Sequence, residues 1–302
     1  MADLAAPVRE PRLAQAIADA ERAARRSGVS IRELTDVAAM DAAHALVDRI
    51  WRPDPANPPV TTELLRALGK AGNYLAGAYT GAELVGVTVG FFAAPSGTAL
   101  HSHITGVAGP ARWRHVGYAL KLHQRAWALA RGITTITWTF DPLVRRNAHF
   151  NLTKLGAVAA EYLPDFYGPM QDSINGGDAT DRLLTRWELT APGVEAACAG
   201  RPRTVDEAAL RAAGAAEALA VDPAGGPRVA PAPERARPLT LAAVPPDVEA
   251  LRAERPDLAR RWRRALREVL GDALSEGARV AGFAREGWYV IDRSDEPGRP
   301  TR

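Results

Sequence analysis

Residues 98–156 constrain the fold more tightly than any other stretch, because two strand patterns flank a basic, glycine-containing turn that opens a helix. Residues 99–107 read as a strand leading to Arg114-His115-Val116-Gly117-Tyr118-Ala119. Over 119–130, Ala119, Leu120, Ala126, Trp127 and Ala130 recur at helical spacing, which puts Lys121, Gln124, Arg125 and Arg131 on the other face. Gly132 stands where a helix C-cap glycine belongs. In 133–140, Ile136, Trp138 and Phe140 recur at period two, and a second helix over 145–156 ends in Lys154-Leu155-Gly156. A helix starting at such a turn leaves bare N–H groups at its positive end, which suits phosphate. Gly117, lacking a Cβ, lets the backbone approach a ligand closely.

The stretches on either side extend this order. Residues 13–26 read as a weakly amphipathic helix through Leu13, Ile17, Ala20 and Ala24, an N-terminal arm over 1–28. A first strand is expected at 29–34. A helix follows over 36–51, with Met40, Ala43, Leu46, Val47 and Ile50 on one face. Four prolines make 52–59 a loop, and Thr61 or Thr62 caps a short helix to residue 70. Strands at 74–79 and 84–92 join through Thr80-Gly81, with Val85, Val87, Val89 and Phe91 sharing a face.

Downstream, 157–162 and 186–189 read as strands separated by a long loop over 164–181, a length often tied to function. Composition shifts to Ala, Pro, Gly and Arg over 192–238, read as a linker around a short helix at 205–219. Residues 239–302 form a small α+β unit. Its helix carries Leu258, Trp262, Ala265, Leu266 and Val269, with Arg260, Arg263, Arg264 and Arg267 on a face read as solvated.

Composition removes several classes. With 302 residues, 47% hydrophobic and 24% charged, the chain can bury an ordinary core. No apolar run approaches the roughly 20 residues that span a bilayer. The first eleven residues lack a secretory core segment. A single cysteine, Cys198, makes no internal disulfide, and no Cys/His set has zinc spacing. A cytoplasmic, metal-free protein with no membrane partner is expected. A formal charge of +3, carried almost wholly by arginine, is mild. No aromatic–basic alternation accompanies it, so nucleic acid ranks last among partners.

The turn Arg114-x-x-Gly117-x-Ala119 resembles the acyl-CoA signature of the GNAT (N-acetyltransferase) superfamily. His101-Ser102-His103, Trp138-Thr139-Phe140-Asp141-Pro142-Leu143, Asn147-Ala148-His149-Phe150-Asn151-Leu152 and Asp181-Arg182 resemble a little-characterised bacterial branch of it. The resemblance implies an α+β fold, a GNAT-type mixed sheet flanked by helices, over 29–191. It also implies a sheet that opens between the strands at 99–107 and 133–140, and an acyl-CoA-dependent N-acyltransferase. Such an enzyme moves acetyl or another short acyl group, such as succinyl, from a CoA thioester to a small amine, an amino acid among the candidates. The alternative is a non-catalytic acyl-CoA-binding module with a regulatory role. A CoA thioester and a small-molecule amine are the expected partners, and a homodimer is an open one.

Resemblance places Thr105, Gly106, Val107, Arg114, His115, Val116, Gly117, Tyr118 and Ala119 along the CoA arm and pyrophosphate, with Asn147 and Asn151 one helical turn apart beside them. His101 and His103, two apart on a strand, share a face. Family members use a carboxylate near the position of His103 to deprotonate the amine, and an imidazole with a reference pKa near 6.5 suits that role. The bland reading of both is a hydrogen-bonded core residue. The family's tyrosine acid position holds Leu152, so Tyr167, and less so Tyr118, stand as substitutes. Arg145, Arg146 and Arg182 are candidates for gripping a substrate carboxylate.

Overall fold

The computed structural model describes residues 6–54, 58–95, 97–168 and 178–294. In chain order come α1 (Ala6–Ser27), β1 (Ser30–Glu33), α2 (Val37–Trp51), α3 (Thr62–Lys70), β2 (Tyr74–Thr80), β3 (Glu83–Phe92), β4 (Leu100–Val107), a 3-10 turn (Gly109–Arg114), α4 (Val116–Ala130) and β5 (Thr135–Phe140). Next are α5 (Arg145–Ala148), a π-helical segment (His149–Lys154), β6 (Val158–Leu163), β7 (Arg182–Glu188), α6 (Pro192–Cys198), α7 (Glu207–Ala212), β8 (Ala216–Val221), β9 (Pro227–Val229) and α8 (Ala232–Arg235). The rest is β10 (Leu239–Ala243), α9 (Val248–Glu254), α10 (Pro256–Leu266), a second π-helical segment (Arg267–Gly271), α11 (Asp272–Ser275), β11 (Arg279–Ala284) and β12 (Trp288–Asp292). One sheet has the order β1-β2-β3-β4-β5-β7-β6 and a second the order β11-β12-β10-β8-β9. This is the expected α+β class with a mixed sheet. β4–β5 and β8–β10 are parallel pairs, and the other registered pairs are antiparallel.

The chain divides into two compact units, Met1–Trp138 with Trp187–Arg201, and Thr139–Met170 with Asn175–Arg186 and Pro202–Arg302. This corrects the expected boundaries. The stretch 29–191 is divided after Trp138 and again around β7, and the N-terminal arm belongs to the first unit. Residues 192–238 are not a linker either. β8 pairs with β10 and β9 with β8, so this stretch supplies two strands of the second sheet. Its expected helix at 205–219 ends at Ala212, and residues from Ala216 are extended.

In the first unit, short-range chemistry starts the helices where the sequence indicates. Asp36 caps α2 by accepting from the Ala39 N–H at 2.8 Å, and Thr61 caps α3 through the Leu64 N–H at 3.2 Å. Met40, Ala43, Leu46 and Val47 pack with Leu75, Val87, Val89 and Ile104 on one face of the sheet. Val85 does not join them. It is the extra residue of a bulge opposite β2, so it turns to the other face and packs with Ala78, Val116 and Leu120.

Helix α4 corrects a second expectation. Lys121, Gln124 and Arg125 are 4%, 0% and 2% exposed, not on a solvated face. Lys121 and Gln124 turn to the sheet, toward Ser102, Trp138 and Gly90, while α1 packs along α4 and brings the buried Asp19 within 3.8 Å of Arg125. Ala16, Ala20 and Ala23 are buried and small enough for the two helices to lie close.

The second unit is centred on α10. Leu258, Trp262 and Leu266 enter its core with Phe283, Tyr289 and Leu152. The arginine face is only partly solvated, which is a third correction. Arg263 is 2% exposed and donates to Asp141 at 2.7 and 2.8 Å and to Asp178 at 3.1 Å. Arg267 binds Asp181, while Arg260 stays exposed with Asp257. Burial alone would raise the Asp141 carboxyl; Arg263 and then Arg252 outweigh it and hold the group below the ordinary carboxylate range. Removing one member of such a set strands a buried charge. Arg263→Met is therefore expected to cost about 3–5 kcal/mol in urea unfolding, and a loss below about 1 kcal/mol would mean the carboxylates are hydrated.

Candidate active site

Strand β4 is where the fold opens. It registers with β3 from Leu100 to Val107, but its ladder with β5 consists of Leu100↔Ile136 and His101↔Thr137. Beyond those two rungs the strands part, as the resemblance implies. The register with β3 shifts between Val89↔Ile104 and Gly90↔Ser102, so His103 is the extra residue of a bulge. A bulge bends its strand and re-aims a side chain, here beside the point where β4 and β5 separate.

His101 and His103 do share a face. Their ring centroids are 6.4 Å apart, and Phe91 lies 5.2 and 5.8 Å from them. His101 Nδ1 is 3.1 Å from Thr137 Oγ1. Burial, then the neighbouring His103 and Lys121, lower the His101 imidazole to about 4. Burial also lowers His103, but this side chain keeps a solvent-exposed edge, so water limits the effect. Both rings are therefore neutral at pH 7 and able to accept a proton.

On the opposite face of the same fork stands a residue the sequence reading assigned no role. Lys121 Nζ donates to Ser102 Oγ at 2.8 Å and Gln124 Oε1 at 3.3 Å, and lies 3.9 Å from the Trp138 ring centroid. Burial lowers this amine to about 7. Ser102 and Trp138 are the first positions beyond the last β4–β5 rung, so Lys121 fits into the fork from the α4 side. A lysine two residues after an expected helix start carries no sign that it will be buried; its packing against Ser102 and Trp138 of the sheet explains it.

The phosphate-type turn forms as expected, with a different use of its arginine. His115 adopts φ 61° and is the N-cap of α4. Tyr118 and Ala119 N–H both donate to the His115 carbonyl, at 3.0 and 3.2 Å. Val116 and Gly117 are then the positions whose N–H groups a helix start leaves open. A Cβ on Gly117 would meet nothing nearer than Val107 at 3.8 Å, so the space above this turn is clear. Arg114 instead turns back to the end of α1, donating to the carbonyls of Ser27 and Gly28 at 3.0 and 3.1 Å. The Tyr118 hydroxyl donates to the carbonyls of Ala197 and Cys198, and burial raises its phenol well above the usual range. Neither side chain is disengaged as a ligand or acid. On β4, Thr105 pairs its hydroxyl with Thr88 at 3.0 Å, Gly106 lies against Trp51, and Val107 packs on the Val116 core.

The remaining candidates belong to the second unit. Tyr167 is 41% exposed, with its hydroxyl 3.2 Å from Thr139 Oγ1. Asn147 is half-buried and Asn151 buried. Leu152 is a core residue of this unit. Arg145 binds the Arg285 carbonyl, Arg146 is held by Glu249 in a bidentate pair, and Arg182 donates to the Asp181 carbonyl. Asn175, Gly176 and Gly177 of the long loop lie outside the described residues. Among the described residues no helix is long and apolar enough to cross a membrane.

No family model matches the sequence, and no curated protein does. Solved structures do match in fold. A GNAT family acetyltransferase from Elizabethkingia anophelis with acetyl-CoA bound is 17% identical, over 53% of this chain and 98% of its own, at a TM-score of 0.42. The ribosomal-protein-S18-alanine N-acetyltransferase from Escherichia coli is 12% identical, over 55% and 96%, at 0.43. An N-acetyltransferase from Staphylococcus aureus Mu50 is 15% identical, over 54% and 99%, at 0.43. Each of these alignments spans about half of this chain and nearly the whole of the other.

Proposed function

We propose that the protein is an acyl-CoA-dependent N-acyltransferase, moving acetyl or another short acyl group to a small amine. The observation that carries this reading is the fork: β4 and β5 part after two rungs, directly before a turn with open N–H groups at Val116 and Gly117. An extended pantetheine chain fits such a gap by pairing with the freed edge of β4 at Thr105, Gly106 and Val107. The pyrophosphate would take the N–H groups of the turn, with His115 beside them.

In the reaction, the neutral amine attacks the thioester carbonyl, and a base at the bulge removes the proton that the new C–N bond makes acidic. His103 fits that role by position and by being uncharged at neutral pH, with His101 the second candidate. The thiolate then leaves. A thiol pKa near 8.5 lets this step run without a strong acid, and Tyr167 is the remaining tyrosine candidate now that Tyr118 is engaged by α6. A binding module without turnover is the second reading, favoured by the core packing of Leu152.

CoA at roughly 100 times its Kd is expected to stabilise the protein by about 2.7 kcal/mol. Gly117→Val should abolish the thermal shift, and the clear space around Gly117 means the variant should still fold. An unchanged shift would put the phosphates elsewhere. A screen of amines with several acyl-CoAs, read by thiol release, separates the two readings: a CoA-dependent shift with no release from any pair favours the module.

A further inference from the structure

A cavity of about 520 Å³ lies in the first unit among α1, α4 and α6, a volume in the range of small-molecule sites. Arg125 lines it and is 2% exposed. Its Nε and Nη2 donate to the Leu189 carbonyl at 3.0 and 2.8 Å, but Nη1 finds no acceptor among the described residues. The closest carboxylate, Asp19 Oδ2, is 3.8 Å away, beyond hydrogen-bond distance. Asp19 is itself engaged by Gln15 at 2.8 Å and by Arg22. A buried guanidinium donor without an acceptor is costly, and an arriving oxyanion would relieve it.

The rest of the lining narrows the ligand. Of the charged groups here, Arg12 pairs with Glu195 at 3.2 Å and Asp19 with Arg22, which leaves Arg125 and Arg201 to face an incoming anion. Pro11, Pro192, Ala196 and Ala199 supply apolar wall. A buried donor at Arg125 Nη1, a second guanidinium at Arg201 and apolar wall match a carboxylate head with a short hydrocarbon body. We propose that this cavity binds a small organic monocarboxylate, its head on Arg125 Nη1 and Arg201 and its alkyl part against Ala196. The site is separate from the β4–β5 fork and does not depend on the acyl-transfer reading.

Sodium propionate is the probe, followed by titration calorimetry and ligand-observed NMR on the full chain without CoA, with sodium chloride and sodium sulfate at matched ionic strength as references. Propionate should bind saturably, and chloride and sulfate should not. Ala196→Phe, which fills the cavity from a partly exposed position, should abolish binding while leaving the unfolding temperature in chloride unchanged. Arg201→Glu should weaken binding roughly tenfold to a hundredfold, the loss of a charge-assisted contact turned to repulsion. Arg125→Lys would test the donor directly, but it also loses the bond pair to Leu189, so Ala196→Phe and Arg201→Glu decide. No binding of propionate, binding unaffected by Ala196→Phe, or equal binding of sulfate would each overturn the proposal.

Discussion

Lys121→Met is expected to remove a rise in stability that the wild-type protein shows as pH increases from about 7 to 10.5. The reason is the difference in proton binding between folded and unfolded chains. Unfolded, the amine holds its proton up to its ordinary 10.5; folded and buried, it releases it near 7. Between those values the unfolded chain carries one proton more, so raising the pH favours the folded state. A group held at about 7 instead of 10.5 makes this worth roughly 5 kcal/mol over the full range. Stability from this source is complete above 10.5 and is lost as pH falls through 7. Buried thiol and phenol groups act in the opposite sense at the alkaline end, Tyr74, Tyr162 and Tyr289 among them. Burial raises the Cys198 thiol to about 11 and the Tyr118 phenol beyond its usual range, so the unfolded chain loses those protons first. Subtracting the unfolding curve of Lys121→Met from that of the wild type cancels all of these. A difference curve that stays flat between pH 7 and 9 would mean that the ammonium is hydrated or paired.

The same residue marks where sequence reasoning stops. Period-two alternation and a glycine turn identify β4, α4 and β5, because each depends on neighbours a few residues away. Whether the polar side of α4 faces water depends on the sheet, which takes Lys121 at Ser102 and Trp138, and on α1, about a hundred residues earlier, which takes Arg125. The weak pattern Leu13, Ile17, Ala20, Ala24 announces a helix but not where it docks. Arg263 likewise reads as solvated until Asp141, 122 residues away, is placed beside it. β8 fails for a different reason. Alanine favours helix, and Ala216, Ala218 and Ala220 offer no β-branched side chains to mark a strand; pairing with β10 overrides propensity. Of the candidate site, the turn and the two histidines follow from local pattern. The bulge that sets His103 apart from His101 leaves no trace in the sequence, because it exists only in the register against β3.

His103→Ala should lower turnover by roughly 10² to 10⁴, the usual range when a positioned proton acceptor is removed. CoA affinity should barely change. The phosphates are proposed to sit on the turn at Val116 and Gly117, while this imidazole stands with His101 and Phe91 at the bulge. The exposed edge of His103 makes the truncation tolerable, so the variant should fold and shift thermally with CoA as the wild type does. The pH profile supplies the sharper test. A base works in its neutral form, so the rate is full above the folded pKa and falls as pH drops through it. Burial lowers the His103 imidazole, so the limb should lie below the ordinary 6.5, and it should disappear in His103→Ala. A limb that survives the substitution near pH 4 would transfer the role to His101, whose imidazole burial holds at about 4. Full activity with an unaltered profile would remove His103 from the reaction and leave a relayed water as the proton acceptor.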